Sequence, residues 1–153
     1  MTRSATVSVV VRATSAKGGA KLRGKNRLGA ALGVEVIPER VGKRAVTQAE
    51  MQQAVLALRQ LPAADIALLA QHNIKIHLYP AAGLEDSLLG ATTVIQNDQG
   101  RWEPTQIRIA ARAKLTGAQA IGEIVQHESG HAISVLRKQD RSEAAAEAYA
   151  RNH

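Results

Sequence analysis

The sequence predicts an α+β domain, and three observations carry that expectation. The chain has 153 residues, 45% of them apolar, a length that suits one domain with a true hydrophobic core. Apolar residues recur with helical spacing in some segments and alternate in others. The strand-like runs are mostly hairpin neighbours followed by helices, with no internal repeat. The expected architecture is a small, mostly antiparallel sheet packed on one long helix and a C-terminal helix.

Each element has its own signal. Thr6–Val11 is rich in β-branched residues and predicts an N-terminal strand. The first residues have the outline of a signal peptide, but the apolar stretch is short and Arg12 interrupts it, so the segment reads as a strand or arm. Lys17–Gly29 is Gly-rich, basic and aperiodic, which predicts a linker. Gly33–Arg44 holds a short strand stopped by Pro38. Thr47 and Glu50 form a capping box ahead of apolar Met51, Val55, Leu56 and Leu58, so a helix starts there and Pro62 ends it. Ala63–Asn73 predicts a second, short helix closed by Asn73. From Ile74 to Pro80 the pattern alternates, with Ile74, Ile76 and Leu78 on one face and Lys75, His77 and Tyr79 on the other, as in a half-buried strand. Gly90–Gln96 and Thr105–Ala111 read as an antiparallel hairpin, with turn residues at Asn97–Gly100 and Pro104 near the second strand's start. Thr116 and Gln119 offer a second capping box that would open the long helix. Asp140 and Ser142 are N-cap candidates for an Ala-rich last helix.

Composition narrows the chemistry. With no cysteine, disulfides, thiolate metal sites and cysteine nucleophiles are excluded, and any metal must be held by His and carboxylates. With no Phe, one Trp and two Tyr, the core is built from Ala, Val, Ile and Leu. The net charge of +7 belongs to residues 1–50, which carry ten Lys/Arg against three Asp/Glu; the remainder carries ten of each. The expected organisation is a basic arm or linker over residues 1–46 and a neutral domain over residues 47–153. No apolar run reaches the ~20 residues that span a bilayer.

The chemistry concentrates in Ile121–Leu136, "IGEIVQHESGHAISVL". His127-Glu128-Ser129-Gly130-His131 matches H-E-x-x-H. Helical geometry puts positions i and i+4 on one face, roughly 6 Å apart, so two imidazoles can converge on one Zn²⁺. Glu128 then stands beside a water on the metal as a general base. The plainer reading is a polar helix face. Against it, Ile124, Val125, Ala132, Ile133 and Val135 make the helix apolar, and burying two His and a Glu there is costly without a purpose. Gly130 is unfavourable in a helix by about 0.8–1.0 kcal/mol relative to Ala and would admit close packing or a ligand. A catalytic zinc needs a third protein ligand. Glu143 and Glu147, four apart on the Ala-rich helix, are the candidates. An antiparallel return helix passes the level of His131 nearer Glu147; a steep crossing or an early helix end favours Glu143.

H-E-x-G-H after a hairpin, followed by E-x-x-A-E-A-Y-A on the next helix, resembles the zincin metallopeptidases of gluzincin type. The likeness is to the catalytic domain of anthrax lethal factor and related small bacterial toxin peptidases, over residues 74–151. It implies a zincin-like fold, Zn²⁺ held by His127, His131 and Glu143, Glu128 as base, and Glu147 as a group orienting a ligand or replacing Glu143. It also implies an oxyanion stabiliser outside the core motif; Tyr149 leads the candidates, with Tyr79 and His77 behind it.

The function expected from all this is zinc-dependent endopeptidase activity, through a Glu-activated water at the zinc, in a bacterial toxin or effector domain. Its partners would be a protein or peptide substrate and an immunity or delivery partner. Two alternatives stand beside it. One is a basic-armed nucleic-acid-binding or phage-type structural protein, touching nucleic acid or an anionic surface through residues 17–44. The other is a catalytically inactive zincin fold. Either a cytoplasmic or a delivered location fits a chain with no obvious signal peptide.

Overall fold

The computed structural model describes residues 4–7, 33–85, 88–115, 118–119 and 121–152. Along the chain these form β1 (Ser4–Val7), β2 (Val36–Pro38), β3 (Arg40–Val41), β4 (Arg44–Ala45), α1 (Gln48–Arg59), α2 (Ala63–Gln71), β5 (Lys75–Tyr79), β6 (Gly90–Gln96), β7 (Trp102–Ala110), β8 (Lys114–Leu115), β9 (Ala118–Gln119), α3 (Ile121–Lys138) and α4 (Glu143–Asn152). The expected linker Lys17–Gly29 and residues 8–11 of the expected first strand lie outside the described residues, as do Thr116 and His153.

Local chemistry sets most of these boundaries. Thr47 Oγ1 accepts the Glu50 amide at 3.1 Å, and the Glu50 carboxylate accepts the Thr47 amide at 2.8 Å. This reciprocal box satisfies two donors that a helix start leaves without partners. Asn73 takes a left-handed conformation (φ 56°), which turns the chain from α2 into β5. In the β6–β7 turn, the Asn97 side-chain oxygen accepts the amides of Gln99 and Arg101, and Gly100 supplies a positive φ of 80°. Strand β7 starts at Trp102, earlier than the alternation suggests. Pro104 falls where the β6–β7 register shifts between Thr93 and Val94, a bulge where a missing N–H is tolerated. The expected capping box at Thr116 and Gln119 does not open the long helix: Gln119 belongs to β9, paired with β8, and α3 begins at Ile121.

The main sheet has the strand order β1-β6-β7-β5-β2. The α+β class holds, but the mostly antiparallel sheet does not. Only β6–β7 is antiparallel; β1–β6, β5–β7 and β2–β5 are parallel. The reason is connectivity. Helices α1 and α2 intervene between β2 and β5, and a crossover of that length returns the chain in its original direction. Residues ahead of position 47 also contribute to this core and sheet. Val34 and Val36 are fully buried in the core, and β2 is an edge strand of the sheet.

The core forms where the helices cover one face of the sheet. Ile76 aligns with Ile107, and Ile107 with Thr92. Directly opposed residues point the same way, so all three face the helical layer. Ile76, Ile107, Ile109, Leu58, Leu69, Ile121, Ile124 and Val125 build that layer. Helix α3 is central: it packs on β6, β7, α1, α2 and α4. By the same alternation, His77 and Arg108 face away from α3. That second face is not simply solvated. His77 is buried with its Nδ1 2.8 Å from Glu39, and Arg108 is paired with Glu85. No single helix among the described residues is long and apolar enough to cross a membrane.

The Thr47 box leads to a stability prediction. Thr47→Ala should lower stability by about 1 kcal/mol, read as a lower urea midpoint with an unchanged slope.

Candidate metal centre

Helix α3 is amphipathic in an unusual sense, because its buried side includes its polar residues. His127, Glu128, Ser129 and His131 are all buried alongside Ile124, Val125, Ala132 and Ile133. The sheet, α1 and α4 close over it from different sides. The apolar residues supply the packing, and the polar ones need specific partners to offset their desolvation.

For the two histidines the partners converge. His127 Nε2 lies 3.0 Å from Glu143 Oε1, and His131 Nε2 lies 3.1 Å from Glu143 Oε2. One carboxylate thus faces two imidazoles, whose ring centres are 5.1 Å apart. His131 is fully buried, whereas the Glu143 side chain is 47% exposed, so the cluster is open to water on one side. Burial pulls the His131 pKa below its ordinary value, outweighing the nearby Glu143 carboxylate, which pushes it up. The neutral imidazole is the form that can ligate a metal.

The chain solves a length problem to bring Glu143 there. His131 lies about 10 Å from the end of α3 at 1.5 Å per residue. Gln139 takes a left-handed conformation (φ 55°), and the Asp140 amide bonds back to the Ser134 carbonyl at 3.3 Å. Residues 139–142 are non-helical, and four such residues can retrace up to about 13 Å. The reversal is pinned to the sheet. Gln139 Oε1 accepts the Trp102 amide at 2.6 Å, and Gln139 Nε2 donates to the Trp102 carbonyl at 2.9 Å. The Arg141 guanidinium stacks 3.8 Å from the centre of the Trp102 ring. Ser142 caps α4, its hydroxyl accepting the Ala145 amide at 3.1 Å. Glu143, next to this cap, is turned toward the histidines.

Glu128 is fully buried and approaches from the sheet side. Its Oε1 accepts a hydrogen bond from Thr92 Oγ1 at 2.7 Å. Ligand atoms of His127, Glu128 and His131 all lie within 4.8 Å of one another. Gly90 makes this approach possible: a Cβ there would come within 2.6 Å of Ile124 and 2.9 Å of Glu128.

This cluster could hold a divalent ion. Bonds of about 2.0–2.1 Å in a tetrahedral zinc site separate neighbouring donor atoms by roughly 3.3 Å. The two nitrogen–oxygen separations, 3.0 and 3.1 Å, are within a few tenths of that value.

Other expected site residues are placed elsewhere. Glu147 is exposed, beside His127 in a groove of about 310 Å³ shared with Glu123, Gln126, Ala150 and Arg151. Among the described contacts it bonds neither histidine, because Glu143 arrives first on the extended return. Tyr149 does not aim its hydroxyl at the histidines; it donates to Asp65 Oδ2 at 2.5 Å. Burial, and then the Asp65 carboxylate, push the Tyr149 phenol far up, which keeps it a donor. Tyr79 and His77 sit on the sheet face away from α3 and cannot reach the centre.

Sequence reasoning missed Thr92, Gly90 and Asp65. A hydroxyl on an alternating strand carries no signal of its own, and neither does an acid in a first helical turn. Gly90 at the start of a β-rich run was a legible hint of close backbone approach.

Comparison of the chain with protein families, curated proteins and solved structures gave no match.

Two predictions come from this geometry. A Cβ on residue 130 would lie 2.9 Å from Tyr149 Cβ. Gly130→Ala should therefore destabilise by about 1–3 kcal/mol through overpacking, despite the better helix propensity of Ala; urea denaturation gives the sign. Burying neutral His131 contributes stability that is full above its unfolded pKa of about 6.5 and is lost as pH falls from there through its lower folded pKa. Metal-free protein should show a melting temperature that drops from pH 7.5 to 5.5, with a shallower drop in His131→Gln.

Proposed function

We propose that the chain is a zinc-dependent endopeptidase of zincin type. The observation that carries the reading is the convergence of both His127 and His131 Nε2 atoms on the two oxygens of Glu143. His127, His131 and Glu143 would hold the ion, and the half-exposed Glu143 side chain leaves the cluster open to water. A zinc ion there polarises a peptide carbonyl and lowers the pKa of water.

The chain's own residues supply the rest. Glu128 takes the proton from the attacking water and hands it to the departing amine. Thr92 fixes one oxygen of Glu128 by its hydrogen bond, which leaves the carboxylate few orientations. Burial of Glu128 and the histidines keeps bulk water from competing for their bonds. The resemblance of H-E-S-G-H and E-A-A-A-E-A-Y-A to toxin peptidases supports the further reading of a delivered toxin or effector acting on a protein or peptide. The basic stretch over residues 17–32 would then serve as an arm or linker, and it lies outside the described residues.

Zinc content and cleavage of a degenerate peptide library, followed by mass spectrometry, test the proposal. Glu128→Gln should retain zinc and lose at least about 10²-fold in rate. His127→Ala should lose both. A zinc-loaded wild-type chain that cleaves nothing, or a Glu128→Gln chain that cleaves as fast as wild type, overturns the reading.

A further inference from the structure

Helix α4 carries a ligand candidate yet buries little. Among its described residues only Ala146 is buried. Apart from the Tyr149 ring, which packs against the core, apolar burial adds little positional information, and specific contacts complete its placement on α3. Glu143 supplies one, in the first turn.

The other is at Tyr149. Its ring lies against Gly130, where any side chain would collide with it. Its hydroxyl donates to Asp65 Oδ2, and Arg137 approaches Asp65 Oδ1 at 2.5 Å. Asp65 is only 3% exposed and sits in the first turn of α2. Arg137 is in the last turn of α3. One buried carboxylate thus joins α2, α3 and α4. A buried acid is costly even when paired, and apolar packing around α2 does not call for one at this position. What it holds explains it better than where it packs.

We infer that Asp65 and Tyr149 form a latch that positions Glu143 against His127 and His131, so that metal affinity is set partly from outside the ligand set. The geometry favours this role. Tyr149 lies about 9 Å along α4 from Glu143 and on a different face. A helix held at one point can pivot and roll; a second anchor on another face removes both motions. A ligand already in place costs less to order when the ion binds. Asp65 and Tyr149 are positioning residues, acting through Glu143. The assignment rests on the metal reading above.

The test uses the full chain, zinc ions and a chromophoric chelator as competitor. Tyr149→Phe and Asp65→Asn are each measured alone and in a Glu143→Ala background, with far-UV circular dichroism in EDTA as the fold control. Each variant should weaken zinc binding about 10–100-fold when Glu143 is present, the range typical of groups that orient ligands. In the Glu143→Ala background the further loss should stay within about twofold, the scatter of uncoupled sites. Should Asp65→Asn alter the dichroism, Tyr149→Phe, which deletes a single oxygen, decides. Equal losses in both backgrounds, or unchanged affinity in Tyr149→Phe, overturn the latch and leave the metal reading standing. Failure of the wild-type chain to take up zinc overturns the metal reading and the latch with it.

Discussion

A single carboxylate shared by two imidazoles governs the C-terminal half of this molecule. Glu143 is on α4 and the histidines are on α3, so the contact is also the main polar tie between these helices. Several otherwise odd features depend on it. Gly130 stands in the middle of a helix because α4 must come close. Gln139 accepts a left-handed conformation because the chain must turn back at once. Ser142 caps the last helix, which leaves Glu143 to the histidines.

The sheet meets the same cluster from the other side. Strand β6 brings Gly90 and Thr92 against Glu128, the first by having no side chain and the second by donating a hydrogen bond. Strand β7 reaches the cluster indirectly, since Trp102 anchors the turn between α3 and α4 through its backbone and its ring. The hairpin therefore fixes both the glutamate in the middle of α3 and the return path of α4. That coupling is why a chain with scarcely any aromatic residues places its only Trp at the end of a strand.

Polar burial is split between the two faces of the sheet. The helical face holds the His–Glu–His cluster. The opposite face holds the buried Glu39–His77 pair and Arg108, which is paired with an exposed Glu85. Strand alternation separates the two sets, which is why His77 and Tyr79 belong to a different chemical environment from His127 and His131 although all are buried or half-buried.

The sequence by itself determined the local events. The capping box at Thr47, the two short helices, the hairpin and the helix bearing both histidines were legible because each depends on residues a few positions apart. The pairing of His127 with His131 was legible for the same reason, since i and i+4 share a helix face whatever surrounds it. Tertiary structure decided everything that depends on distant segments meeting. Parallel pairing of β2 with β5 follows from where the intervening helices pack, and Val36–Pro38 joined the sheet because β5 offered an open edge. The choice of Glu143 over Glu147 turned on an extended return whose length no periodicity records. Tyr149 went to Asp65 because α2, far away in the chain, presents a buried acid there. Hydrogen bonds and close contacts between remote residues leave no spacing to read, so only the folded chain specifies them.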